Sequence, residues 1–259
     1  SGFLGLLRAA RLRSSGKGAT LSHRLWPDNE AMSSTATDIR SAVCARTDPA
    51  QPYVTYLGSD GRMELSGASV INAAAKIANA LTSEFDCDPE QQVALHLPWH
   101  WQRVIWLLGI WSAGCVVVPQ GVADCDLLVA GPQQAPELAG NVIVVSMHPF
   151  GLPLGPDDMA ALPPGAQDAT IAVRAQPDQQ VFIDDYSDAL ALDGHTQRQL
   201  LERARDVARP LAGVTRLGLH PDDSQWWLPA LWPAVTGGSV ILGQSVDDGF
   251  GSEPVDAVL

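Results

Sequence analysis

From Val104 to Ala123 the chain runs for twenty residues without a charged side chain. A stretch of that length either crosses a bilayer or is enclosed by protein. Its punctuation favours enclosure, because Gly114 and Pro119 interrupt it and Cys115–Val118 is rich in β-branched valine. The run divides into a helix, about Trp101 to Ser112, and a buried strand, Cys115–Val118. Just upstream, Val93–Leu97 is a second apolar strand, ended by Pro98. Apolar strands joined by a helix pair in parallel, and a parallel sheet needs cover on both faces. The expected fold class is α/β, with parallel-sheet lobes flanked by helices and no transmembrane segment.

The flanking sequence extends the pattern. Tyr53–Leu57 and Arg62–Leu65 read as a hairpin around Ser59-Asp-Gly61. Ser66 is placed to cap a helix whose apolar positions Val70, Ile71, Ala74, Ile77, Ala78 and Leu81 recur at three and four. Leu127–Ala130, Val142–Val145 and Val181–Ile183 are short apolar strands. A helix is expected over His195–Ala208, and a closing helix–strand pair over Ser224–Ala234 and Gly238–Leu242. Six prolines between Pro149 and Pro177 mark a linker or surface loop. The organisation expected is an extension at 1–31, a first lobe at 32–148, a Pro/Gly-rich linker at 149–180, a second lobe at 181–245 and an acidic tail at 246–259.

Charge excludes one class of partner. The chain carries 16 basic and 29 acidic residues, for a formal charge of −13. Residues 1–31 hold five of the basic and two of the acidic groups, leaving 11 against 27 in the body. A body this acidic repels phosphate backbones, so nucleic acid is not an expected partner. The basic extension fits either a weak membrane-surface helix or a disordered segment. Disorder is favoured, since one weak anchor binds only marginally. Phe3–Leu7 is too short for a secretory signal, and its arginines follow rather than precede it.

Cys44, Cys87, Cys115 and Cys125 form no CxxC and have no clustered histidines, so they read as reduced core thiols of a cytoplasmic protein. His96 and His100 are four apart, but Pro98 between them breaks the helical spacing a metal pair would need. No metal or cofactor is expected.

Met63-Glu-Leu-Ser66, Ala75-Lys-Ile-Ala-Asn-Ala-Leu81, Val93-Ala-Leu-His-Leu-Pro98 and Trp111-Ser-Ala-Gly-Cys-Val-Val-Val-Pro119 together resemble the N-terminal part of AMP-forming adenylating enzymes, the acyl-CoA synthetase-like superfamily. Leu192-Asp-Gly-His-Thr-Gln-Arg-Gln-Leu-Leu201 is similar to the family's helix that opens on Thr/Ser-His. Gly237-Gly-Ser-Val-Ile-Leu242 is similar to its Gly-Gly-x-Val element. In the family a Thr-Ser-Gly-Thr-Thr-Gly-x-Pro-Lys-Gly phosphate loop precedes that helix. Here Phe182–Leu192 has neither glycine nor lysine, and Ser187 is its only small hydroxyl residue. Asp184, Asp185 and Asp188 stand where the resemblance would put triphosphate. Like charges 4 Å apart repel by about 4 kcal/mol at a protein-surface dielectric. The family's adenine, magnesium and lid motifs have no counterpart after Leu242, and the resemblance implies a short homologue of the N-terminal half.

Other chemistry finds little support. There is no Gly-x-Ser-x-Gly elbow and no Gly-x-Gly-x-x-Gly after a strand. His195 and His220 sit at junctions without a matching base or nucleophile. Trp106 and Trp111 read as core, whereas Trp226 and Trp227 fit either a core or a pocket or interface, and with His195 and His220 they form the candidate pocket or interface set. The expected function is a non-catalytic binding or interaction protein, taking a small acyl or adenylyl ligand, a protein partner or a second copy of itself. The alternative is an AMP-forming acyl-activating ligase completed by a partner chain.

Overall fold

The structure, a computed structural model, describes residues 36–59, 61–119, 125–221, 224–244 and 249–259. The basic extension at 1–31 and its two readings lie outside the described residues, as do Asp222, Asp223, Asp247 and Asp248.

The chain opens with the short helix α1 (Ile39–Cys44), capped by Asp38, then the hairpin β1 (Pro52–Gly58) and β2 (Gly61–Ser66). Helix α2 (Gly67–Ser83) follows, and the Ser66 hydroxyl accepts from the Ser69 N–H as expected of its cap. Next come β3 (Gln92–His96), α3 (Trp101–Ser112), β4 (Val116–Val118), β5 (Leu127–Ala130) and β6 (Val142–Val144). The proline-rich interval is not bare loop: it holds α4 (Pro156–Ala160), β7 (Gln167–Asp168) and α5 (Ala169–Ala175). The hairpin β8 (Leu190–Leu192) and β9 (His195–Thr196) leads into α6 (Gln197–Ala208). Then β10 (Arg216–Leu219), α7 (Leu228–Thr236), β11 (Ser239–Leu242) and β12 (Ala257–Val258) complete the order.

Two sheets result. One runs β12-β10-β11-β1-β2, the other β7-β6-β5-β3-β4-β8-β9. Around β3 every pairing is parallel, with Val93 opposite Val117 on one side and Leu127 on the other. That is the β-α-β arrangement the uncharged run implied. Helix α3 explains why two sheets are needed: of its residues only Arg103 escapes full burial. A helix apolar all round must be covered all round. It packs on β1 of one sheet and β4 of the other, and one continuous core draws residues from both.

Helices α2 and α3 cross closely because α3 carries a glycine at the contact. A Cβ on Gly109 would lie 2.4 Å from Ile77 Cγ2. The Trp111 indole N–H donates to the Ala191 carbonyl at 3.0 Å, tying α3 to β8.

Three sequence expectations need correction. Val181–Ile183 is not a strand: it is an exposed bend whose Val181 N–H bonds the Asn79 side-chain oxygen at 2.9 Å instead of a neighbouring strand. The lobes do not follow the expected boundaries, since β1 pairs in parallel with β11 and β4 with β8. Hydrophobic periodicity carries no information on such long-range partners. The acidic tail is also not a free tail in its described part. Its β12 joins β10, the Asp256 carboxylate accepts from the Thr215 N–H and hydroxyl and the Arg216 N–H at 2.8–2.9 Å, and Glu253 bridges Arg62 and Arg216.

Two outcomes follow from this packing. Gly109→Val should lower the stability measured by urea unfolding by about 1–3 kcal/mol, as overpacking at a tight crossing does. Burial opposes ionisation of Asp256, but the hydrogen bonds from Thr215 and Arg216 prevail and hold its carboxyl below the ordinary 3.8. Its contribution is therefore present above that value and lost as pH falls through the depressed folded value. Asp256→Ala should destabilise by about 1 kcal/mol at pH 7, and the difference from wild type should shrink on acidification below 3.8.

Candidate functional site

Residues 184–198 form a closed acidic turn, a tight hairpin and a helix start. The Asp184 carboxylate accepts from the Asp185 N–H at 2.8 Å, and Asp185 accepts from the Ser187 N–H at 2.9 Å. The Ser187 N–H, then its hydroxyl, hold the Asp185 carboxyl below its usual range. Ser187 itself is buried, at 3% exposure. Its hydroxyl takes a hydrogen bond from Arg198 Nη2 at 2.9 Å, and the same guanidinium reaches Asp188 at 3.2 Å. Backbone donors nearby are likewise engaged: Ala189 N–H bonds Tyr186 O, Gln197 N–H bonds Ala189 O, and Arg198 N–H bonds Ser187 O, each at 3.0 Å.

The hairpin that follows has a two-residue turn. Asp193 (φ +50°) and Gly194 (φ +74°) both occupy the left-handed region, as the twist-matched turn type requires. Thr196 then caps α6 in a full capping box, its hydroxyl accepting from Gln199 N–H while the Gln199 side chain accepts from Thr196 N–H. The helix start thus satisfies its own donors.

The structure brings Asp184, Asp185, Ser187 and Asp188 together in one turn, but it does not gather the other four candidates into one pocket. His195 lies on β9 with Arg203 at 3.4 Å, and Arg203 stacks over the buried Trp227 ring at 5.4 Å. Trp226 faces a different cation, Arg103, at 5.8 Å. His220 is buried at the end of β10, stacked on Phe250 at 4.6 Å. Trp106 and Trp111 are core, as expected. Of the cysteines, Cys87 and Cys115 are buried, but Cys44 is exposed and Cys125 partly so, which corrects the reading of all four as core. His100 is a helix cap, its Nδ1 accepting from Gln102 N–H at 3.2 Å. Among the described residues no group of three or more His, Cys, Asp or Glu side chains could hold a metal ion. No helix among them is long and apolar enough to cross a membrane.

Two features went unread in the sequence. Arg198, the cation that closes the acidic turn, lies ten residues after Asp188 and only the α6 start brings it back. A cavity of about 390 Å³ lies between α1, α2, α3 and residues 178–183, lined in part by Arg40, Cys44, Asn72, Ser112, Asp178 and Gln180. Although Cys44 as a whole is exposed, desolvation by the atoms packed around its thiol raises it, with Arg40 opposing and Asp38 adding to the rise. The Asp-Gly turn, by contrast, was a signal available from sequence.

The comparisons with known proteins bear on this geometry. The family described as AMP-binding enzyme matches residues 42–122. The "TIGR03089 family protein" of Mycobacterium tuberculosis is 34% identical over 184 residues, covering 66% of this chain and 73% of that one. The chain belongs to the adenylate-forming, AMP-binding superfamily. Solved acyl-CoA synthetase-like structures share the fold. MatB from Rhodopseudomonas palustris superposes with a TM-score of 0.63 at 15% identity, covering 82% of this chain and 46% of its own. Brucella canis acyl-CoA synthetase gives 0.64 at 18%, covering 80% and 43%. The N-terminal domain of FACL13 from Mycobacterium tuberculosis gives 0.60 at 16%, covering 81% and 58%. The chain thus corresponds to the N-terminal part of the superfamily and spans less than half the length of MatB and of the Brucella canis enzyme.

Removing the cation that closes the acidic turn should loosen it locally. Arg198→Ala should speed amide exchange at Ser187 and Ala189 in hydrogen-exchange mass spectrometry. Global stability should change by no more than about 1 kcal/mol, since the Arg198–Asp188 pair is solvent-exposed.

Proposed function

We propose that this superfamily member is a non-catalytic binding or interaction protein that does not use ATP. The observation that carries the reading is the acidic turn and hairpin ahead of α6. Phosphate recognition at such a place needs free backbone donors and a net positive field. Here the donors of Asp185, Ser187, Ala189, Gln197 and Arg198 are spent within the turn and hairpin. Only two residues, Asp193 and Gly194, separate the strands. Asp184, Asp185 and Asp188 are exposed around the turn, and Arg198 pairs with just one of them. A triphosphate would meet net repulsion, and those five amides are already engaged.

The 390 Å³ cavity supports the binding half of the proposal, being within the size range of small-ligand sites. It combines apolar walls from Ile71, Ala75 and Leu108 with Arg40 as a cation and with Asp178, whose charge is met by Lys76 at 2.9 Å. That combination suits a small acyl or adenylyl ligand carrying one anionic group. Exposed Val181, Phe182 and Ile183 beside it suit a protein partner or a second copy. A cytoplasmic location is part of the same proposal.

A second reading is an AMP-forming acyl-activating ligase completed by a partner chain. What favours it is that acyl-CoA synthetases from Brucella canis and Mycobacterium tuberculosis share this fold.

A thermal-shift series with ATP–magnesium, AMP and coenzyme A, run beside pyrophosphate exchange, separates the readings. A ligand present at 100 times its dissociation constant stabilises by about 2.7 kcal/mol. ATP–magnesium should produce no shift and no exchange. A concentration-dependent rise in Tm with ATP, or exchange driven by any carboxylic acid, would sink the non-catalytic reading.

A further inference from the structure

Cys87 and Cys115 are 28 positions apart in sequence, yet their Sγ atoms lie 3.5 Å apart. Both are buried, at 2% and 0% exposure. The backbone around them holds the approach from both sides. Cys87 N–H bonds Leu81 O at 2.9 Å and Cys115 N–H bonds Ile110 O at 3.1 Å. Glu90 N–H bonds Gly114 O at 2.9 Å, and Val116 N–H bonds Gln91 O at 2.8 Å. Asp86 (φ +48°) and Glu90 (φ +71°) place two L-residues in the left-handed region on either side of Cys87. That conformation persists only where the surroundings over-determine it. The two sulfurs are therefore held together by the fold, although no CxxC spacing announces them.

We propose that Cys87 and Cys115 are a dithiol oxidation site, converted to an intramolecular disulfide by a small peroxide. The separation leaves about 1.5 Å to close to reach a disulfide bond, within reach of small side-chain rotations. The Cys115 thiol's hydrogen bond holds Cys87 below the usual thiol range, against burial and the Asp126 and Asp88 carboxylates, while the same contact and burial push Cys115 up. Cys115 Sγ also donates to the Asp88 carbonyl at 3.4 Å, which favours its staying the thiol, so Cys87 is the attacking sulfur and Cys115 the resolving one. A cavity of about 170 Å³ is lined in part by Pro89 and Ala113, each two residues from one of the thiols, although the thiols themselves do not line it.

The chemistry balances. Cys87 thiolate attacks one oxygen of hydrogen peroxide, the O–O bond breaks, and hydroxide leaves, giving a sulfenic acid. Cys115 sulfur then attacks Cys87 sulfur, the S–O bond breaks, and the second hydroxide leaves. The two thiol protons convert both hydroxides to water. Each sulfur gives up one electron and the peroxide takes up two. The bond would fasten the loop before β3 to the start of β4. Next to it, Gly114 (φ +77°) lies under the Tyr186 ring, so close that a Cβ would sit 2.5 Å from it. The oxidation site is thus directly beneath the acidic turn, although the proposal does not depend on what that turn binds.

The test treats the full chain with hydrogen peroxide, alkylates it under denaturing conditions and maps it by mass spectrometry without reduction. The expected product is a Cys87–Cys115 linked peptide pair lighter by two hydrogen atoms, restored by dithiothreitol, with Cys44 and Cys125 recovered alkylated. A Cys44→Ser/Cys125→Ser variant, which leaves the core pair untouched, should lose both of its titratable thiols on oxidation. Both thiols surviving in that variant would overturn the proposal. So would Cys87 ending as sulfinic acid without a cross-link.

Discussion

Everything in this fold is arranged around a helix with no water-facing side. Helix α3 buries every residue but Arg103, and its Leu107, Leu108, Ile110 and Trp111 are at or near zero exposure. Burying one large apolar side chain is worth about 1.5–3 kcal/mol. A helix of this composition is therefore stable only between two apolar surfaces. Two sheets supply them, and α2 and α7 complete the enclosure. The close approach at Gly109 and the Trp111 bond to β8 are consequences of that enclosure, because a fully buried helix must pack tightly and the Trp111 indole finds its acceptor across the core.

The same enclosure positions the candidate site. Trp111 reaches Ala191, and Gln197 at the head of α6 donates to the Trp111 carbonyl at 2.7 Å while its oxygen accepts from Ile39 N–H. The strand, hairpin and α6 start are thereby fixed to the central helix. The acidic turn at 184–188 sits on this rigid base, and Tyr186 is pressed against Gly114. A turn built that way already commits the amides of Asp185, Ser187 and Ala189, which is a different device from a glycine-rich loop with amides free for phosphate.

Much of the local structure was readable. The Ser66 cap, the span of α3, strands β5 and β11 and the β1–β2 hairpin coincide with what periodicity and turn residues indicated, because local propensity and burial agree there. Short elements were missed where they lack a period to detect: β7, β9 and β12 each have two residues. Val181–Ile183 misled because an apolar triplet signals burial only when a surface arrives to cover it. Strand β10 escaped notice, since Arg216 and Gly218 interrupt its apolar pattern. At the site, the acidic character of 184–188 was visible in the residues, whereas its closure by Arg198 and the separate surroundings of His195, His220, Trp226 and Trp227 were not.

The sequence by itself determined that a parallel α/β core must exist, which strands build its centre, and that the interval before α6 is acidic and poor in glycine. These follow from hydrophobic pattern and side-chain charge, which are local properties. Only the tertiary structure decided that the first hairpin closes against the last strands, that the 390 Å³ cavity exists, and that Cys87 meets Cys115 across 28 residues. Those outcomes depend on how elements distant in sequence meet when α3 is enclosed, and the energy that selects them is the shared burial of both sheets, to which no single segment contributes alone.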